Sequence, residues 1–173
     1  MSGLPAAGKT HLGTRLAQVL GLPFVSKDEY KEILHEALPD LTRAQAGPLS
    51  FELMYHVAAV ALRAGVSCVL ETHFYLGVSE GPILTLARHH GAQLLQVHCQ
   101  GPIELLRARH ADRVAAGEHP HIHLPGLWEN LPAQACVRPL DLGASVLIVD
   151  TTTEVSVQAV ADWVRTASMT PTL

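Results

Sequence analysis

Lysine is scarce in this sequence, with three residues in 173, and nine arginines stand against sixteen acids for a formal net charge of −4. Phosphate backbones are held by surplus Lys and Arg, so this balance argues against a nucleic-acid binder. No apolar run approaches the ~18 uncharged residues that a membrane-spanning helix requires, and no basic leader with a short apolar segment precedes the first motif. A cytoplasmic chain with no membrane partner is therefore expected. Cysteine is sparse too: Cys68, Cys99 and Cys136 are widely spaced and form no CxxC pair, which excludes a zinc or dithiol redox site of that type and leaves them as reduced filler. Internal repeats and linkers are lacking. The chain is 48% hydrophobic, so residues 1–173 should form one domain with a sizeable core.

What is present is an alternation of helices and strands. Leu12, Leu16, Val19 and Leu20 share one face of a helix over 9–20, which Gly21 and Pro23 end. Phe24–Ser26 reads as a short strand and Lys27–Ala37 as a second helix. From Thr42 to Ala64 the spacing is helical, with Pro48 expected to break it into a short and a long piece. Val66–Leu70 is an almost continuous apolar run ending in Glu71, the pattern of a strand buried on both faces. Helices over 79–90 and about 154–167 alternate with strands over 93–99 and 145–149. Such alternation predicts an α/β fold with a parallel sheet and crossovers. Between the last two strands lie an arginine-bearing helix, 102–116, and a Pro- and His-rich stretch to about residue 139; a lid over about 107–139 is expected.

Gly3-Leu4-Pro5-Ala6-Ala7-Gly8-Lys9-Thr10 matches GxxxxGK[ST] and stands directly before the amphipathic helix, the context that the motif needs. By composition alone the pattern would arise on the order of 0.002 times in a chain of this length, so chance does not explain it. The two glycines let the backbone curl so that the amides of Gly3, Ala6, Ala7, Gly8, Lys9, Thr10 and His11 point at a phosphate, with the helix dipole behind them. Lys9 would reach the β- and γ-phosphates and Thr10 would give its hydroxyl to Mg²⁺. The motif should follow a central buried strand, yet only Met1 and Ser2 precede Gly3. The first strand is thus expected to be missing from this chain, and the natural chain to carry residues upstream of Met1.

These residues, with Val25-Ser26-Lys27-Asp28-Glu29-Tyr30-Lys31, Glu71-Thr72-His73-Phe74, the arginine helix and Gly117-Glu118-His119-Pro120, resemble the small P-loop kinases grouped as AAA family ATPases. Chloramphenicol phosphotransferase, zeta toxin and polynucleotide kinase domains are similar. The resemblance covers nearly the whole chain. It implies a nucleoside-kinase-like three-layer sandwich with a five-stranded parallel sheet, ATP and Mg²⁺ as cofactors, and transfer of the γ-phosphoryl group to a hydroxyl of a small-molecule acceptor. His73 departs from the pattern, since many relatives have Asn there.

Asp28 follows the Phe24–Ser26 strand at the carboxyl edge, where a carboxylate can deprotonate an acceptor hydroxyl, and the similar kinases use an Asp in this loop; it or Ser26 could instead cap the helix. Glu71, ending the apolar strand, is a candidate to hold a Mg²⁺-bound water or the acceptor, against a strand-end acid that faces solvent or pairs with Arg. Asp150 ends another strand, and the resemblance sets the following 151–153 loop near the adenine. Arg109 and Arg113 are i and i+4 on one helix face, match the paired arginines of the similar kinases, and are expected to clamp the moving phosphoryl group, with Arg107 the weaker candidate. His119, His121 and His123 would share one side of an extended segment and could chelate a metal, but read as polar lid residues. Trp128 and Trp163 read as packing residues. The expected activity is that of an ATP-dependent kinase; the alternative is a nucleotide-binding protein or slow ATPase. Acceptor identity and oligomeric state are not legible.

Overall fold

The computed structural model describes residues 1–169. Its order is α1 (Lys9–Leu20), β1 (Phe24–Ser26), α2 (Lys27–Ala37), α3 (Arg43–Arg63), β2 (Val69–Glu71), α4 (Glu80–His90), β3 (Leu95–Gln100), α5 (Ile103–Ala116), β4 (Ser145–Asp150) and α6 (Val157–Ser168). The strands pair in parallel as β1 with β2, Phe24 opposite Val69, and β3 with β4, Leu95 opposite Ser145. This is the α/β fold that the alternation predicts. Between the two pairs runs a stub of two residues. Ser2 bridges His98 in parallel, donating its N–H to Val97 O and accepting from Cys99 N–H, both at 2.9 Å, while the Met1 ammonium donates to Leu70 O at 2.7 Å. Met1 and Ser2 thereby hold the middle position of a five-position sheet, but only at its carboxyl end. Burial pushes the pKa of the Met1 ammonium down, because the site offers one carbonyl where water would hydrate a charge.

The rest of the middle position is a cavity of about 830 Å³ at the amino ends of β2 and β3, walled by Leu16, Leu20, Leu70, Ile83, Leu95 and Leu140 among others. This void explains one departure from sequence expectation. The apolar run 66–70 is not a strand buried on both faces: β2 begins only at Val69, and Val66 is 40% exposed. A ladder with a partner on one side alone holds fewer residues in register. Pro48 is a second departure, for α3 runs through it without a break. The proline forfeits only the bond to Ala44 O, near an exposed helix start where water can replace it.

Two apolar clusters flank the sheet. Leu12 and Leu16 of α1, Val160 and Ala161 of α6, Val97 and Val149 pack with Leu4 and Ala7 of the glycine-bearing loop. Val25, Met54, Phe74, Ile83, Cys136 and Leu140 form the other, against α3 and α4. Trp128 is buried in the first cluster and Trp163 packs on its edge, as their packing role predicts. No helix among the described residues is long and apolar enough to cross a membrane.

Candidate active site

The loop between the stub and α1 is held in its curl by three positive φ values, at Gly3 (134°), Ala6 (59°) and Gly8 (76°). The Ala7 N–H closes onto Leu4 O at 3.2 Å, and the Lys9 ammonium, 7% exposed, folds back to Leu4 O at 2.9 Å. A side chain at Gly3 would overlap the Cys99 carbonyl, which fixes that residue as glycine. Helix α1 starts at Gly8 with no side-chain cap and no acid in its first turn. Among the described residues the amides of Lys9, Thr10 and His11 find no acceptor, although Leu12 N–H bonds to Gly8 O. An uncapped helix start behind a curled loop, with one lysine and no carboxylate in it, fits a phosphate tail.

Asp28 stands at the first turn of α2, partly exposed, with Lys27 Nζ at 3.1 Å. No side chain caps α2, so Asp28 and Ser26 are not engaged as caps. Ser26 instead donates to Glu71 Oε2 at 2.9 Å, across the β1–β2 pair. Glu71 is 2% exposed, so it does not face solvent, and among the described residues its partner is Ser26 and no arginine. His73 lies beside the loop: its Nδ1 is 3.3 Å from Gly3 O, its Nε2 is buried without a partner among the described residues, and it feels both the Lys9 and the Asp28 charge. Burial first, then the Lys9 cation, pushes its pKa down to about 4, so the ring is neutral near pH 7. Tyr75 meets His73 edge-on at 5.2 Å and Phe51 at 6.3 Å, and Lys27 lies 5.5 Å from the Phe51 ring centre. Through Lys27 and Tyr75 this cluster reaches Asp28, whose carboxylate Lys27 contacts and Tyr75 feels.

The arginines go to different places. Arg109 donates to Thr151 O at 2.7 Å and reaches its hydroxyl at 3.4 Å, tying α5 to the loop after β4. Arg113 is half-buried beside His110 and His123, and its charge helps push both imidazoles down, after burial. Arg107 lies over the Trp128 ring at 5.8 Å. Asp150 turns its carboxylate onto the Thr152 N–H at 2.8 Å. A cavity of about 300 Å³ opens at the carboxyl ends of β3 and β4, between Leu4, Gly101, Leu106 and Asp150, where open α/β sheets bind ligands.

The first part of the expected lid, to Ala116, belongs to α5; residues 117–139 carry no helix or strand, and the three histidines do not all share a side, for His119 and His123 meet edge-on at 5.9 Å while His121 points elsewhere. His119 takes φ 46° in a turn, His123 meets His110 at 5.8 Å, and His121 stacks on His35 of α2 at 4.6 Å. Among the described residues no group of three or more His, Cys, Asp or Glu is arranged to hold a metal. The three cysteines are free thiols. Sequence reasoning missed Ser26 as the partner of Glu71, the Phe51 and Tyr75 contacts, and Lys31; the scarcity of lysine was a usable signal for the last.

A curled loop before an uncapped helix, on a parallel sheet with a carboxylate at its edge, defines a P-loop kinase fold. The chain matches the AAA domain family model AAA_33 over residues 1–127 and belongs to that family. It is similar to a protein of Chloroflexus aurantiacus j-10-fl described provisionally as a kinase, with 30% identity, TM-score 0.84 and 96% of each chain covered. The APS kinase CysC of Mycobacterium tuberculosis, solved with AMPPNP and APS, shares the fold at 15% identity and TM-score 0.66 over 98% of this chain and 95% of its own. So does an unliganded sugar kinase from Janibacter sp. HTCC2649, at 18% identity and TM-score 0.64 over 96% and 91%. No curated protein matches the sequence significantly.

Proposed function

We propose that the chain transfers the γ-phosphoryl group of ATP to a hydroxyl of a small molecule. The observation that carries this reading is the curled Gly3–Gly8 loop before an uncapped helix start, with His73 Nδ1 3.3 Å from Gly3 O and under the charges of both Lys9 and Asp28. The loop amides and Lys9 hold the β- and γ-phosphates. Asp28 orients the acceptor hydroxyl and takes its proton as the oxygen bonds to the γ-phosphorus and the bond to the β-phosphate oxygen breaks, releasing ADP. His73, neutral, adds no charge to the site and can donate or accept a hydrogen bond from its free Nε2. Thr10 would hold Mg²⁺, with Glu71 acting from behind Ser26; the metal would spread the negative charge of the phosphates. Arg113, near His123 of the lid, is the candidate to meet the transferring group, and Arg109 acts by fixing the loop after β4.

The test is ADP release with and without a panel of hydroxyl compounds. Asp28→Ala should lower acceptor-dependent turnover by roughly 10²–10⁴ while calorimetry finds ATP·Mg affinity intact. Turnover that ignores both the acceptor and the substitution would instead indicate a nucleotide-binding slow ATPase.

A further inference from the structure

The three lysines of this chain, whose net charge is −4, lie near one another: Lys9 and Lys27 both act on His73, and Lys27 acts on Lys31. Lys9 donates to Leu4 O and Lys27 pairs with Asp28. Lys31 is half-buried and has neither an ion pair nor a hydrogen bond among the described residues. Lys27, Lys31 and His35 are i, i+4 and i+8 on α2, so they form one stripe along the helix. His121 of the lid roofs the far end of that stripe by stacking on His35, whose Nε2 is buried without a partner. Arg43, at the start of α3, adds its charge to Lys31 and His35, and the carboxylates that face Lys31 are Asp28 and Glu32. With Lys27 balanced by Asp28, Lys31 and Arg43 face Glu32 alone and leave an uncompensated positive charge under the lid. Partly burying an ammonium with no partner is unfavourable, and an anion brought by a ligand removes that penalty. We propose that the acceptor carries an anionic group, a carboxylate, sulfate or phosphate monoester, which Lys31 binds with Arg43 about one helical turn, roughly 5 Å, from the hydroxyl that reacts at Asp28.

This inference rests on the phosphotransferase reading, and the two are separable by experiment. Protein saturated with Mg²⁺ and a non-hydrolysable ATP analogue is titrated calorimetrically with gluconate, inorganic sulfate and inorganic phosphate, which distinguish the three anion chemistries. At least one should bind, and Lys31→Met should weaken it tenfold or more, with Lys31→Arg recovering part of the loss and Arg88→Met, on α4, changing nothing. In the ADP-release assay, gluconate should give a lower KM than its neutral counterpart glucitol if carboxylate is the favoured group, and glucitol 6-phosphate if phosphate is. Lys31→Met should raise the KM of the favoured anion and leave ATP affinity unchanged. Absence of anion binding in nucleotide-loaded protein, binding indifferent to Lys31, or a lower KM for neutral acceptors would overturn the inference. Failure of the ATP analogue to bind would instead overturn the phosphotransferase reading, and the anion titrations on nucleotide-free protein would still read the dependence on Lys31.

Discussion

At its carboxyl end the gap between β2 and β3 holds Met1–Gly3, with backbone bonds to Leu70, Val97 and Cys99, and with Ser2 Oγ against His98 Nδ1 at 3.0 Å. At its amino end the same gap is a cavity of about 830 Å³ lined by aliphatic side chains. One end is tight enough that no Cβ fits at Gly3; the other leaves Val66 partly in water. The difference teaches that the phosphate loop is held by its own positive-φ residues and by Leu4 and Ala7 buried in the first cluster, at the tight end of the gap.

The largest effect that would sharpen this contrast is at Gly3. Gly3→Val combines a φ of 134° with a collision against a backbone oxygen that cannot swing aside. A loss of about 3 kcal/mol or more in unfolding free energy is expected, together with loss of ATP·Mg binding by calorimetry. A variant that keeps its stability and its nucleotide would mean that the closed end is looser than its geometry.

Much of the closed end was legible in the sequence. The GxxxxGK[ST] spacing, the strand Phe24–Ser26 and the helix Lys27–Ala37 lie where periodicity and motif put them, because each is set by residues close in the chain. The open end was not. An apolar run such as 66–70 announces its own hydrophobicity but not whether a neighbour lies alongside, so the strand it predicts is longer and more buried than β2. Side-chain partners across elements were equally hidden. Glu71 finds Ser26 and Arg109 finds Thr151 only once the sheet and helices are assembled, and the turn at His119 undoes the side-sharing that an extended lid would give its histidines.

A middle-sized effect is electrostatic. His73 is buried at the closed end with its pKa near 4, against 6.5 in an unfolded chain. Between those values the unfolded state binds more protons, so stability rises with pH: the contribution is complete above pH 6.5 and is lost as pH falls toward 4. That loss amounts to as much as about 3 kcal/mol. Urea unfolding at pH 7, 5.5 and 4.5 should show a steep decline that His73→Asn flattens. His98, His110 and His123 are shifted down as well and remain in both proteins, so the difference between the two curves belongs to His73. Parallel curves would mean that water reaches His73 and that the closed end is not dry.

The smallest effect discriminates the two ends most directly, because the same substitution is made at each. Ala7 is fully buried within the loop, and Ala87 of α4 lines the cavity. Ala7→Leu adds three carbons where Leu4, Leu12 and their neighbours already fill the space, and should destabilise by about 1–3 kcal/mol with a loss of nucleotide affinity. Ala87→Leu adds the same carbons beside a void. Each methylene buried there is worth about 0.8 kcal/mol, offset by the side-chain entropy of ordering a leucine and by incomplete contact across so wide a space. The net change should lie within about 1 kcal/mol of zero, on the stabilising side, with ATP·Mg affinity unaltered because α4 carries no residue of the site. If thermal unfolding instead places Ala87→Leu as far below the parent as Ala7→Leu, the amino end of the gap is packed in solution, and the sheet closes on itself where the cavity now stands.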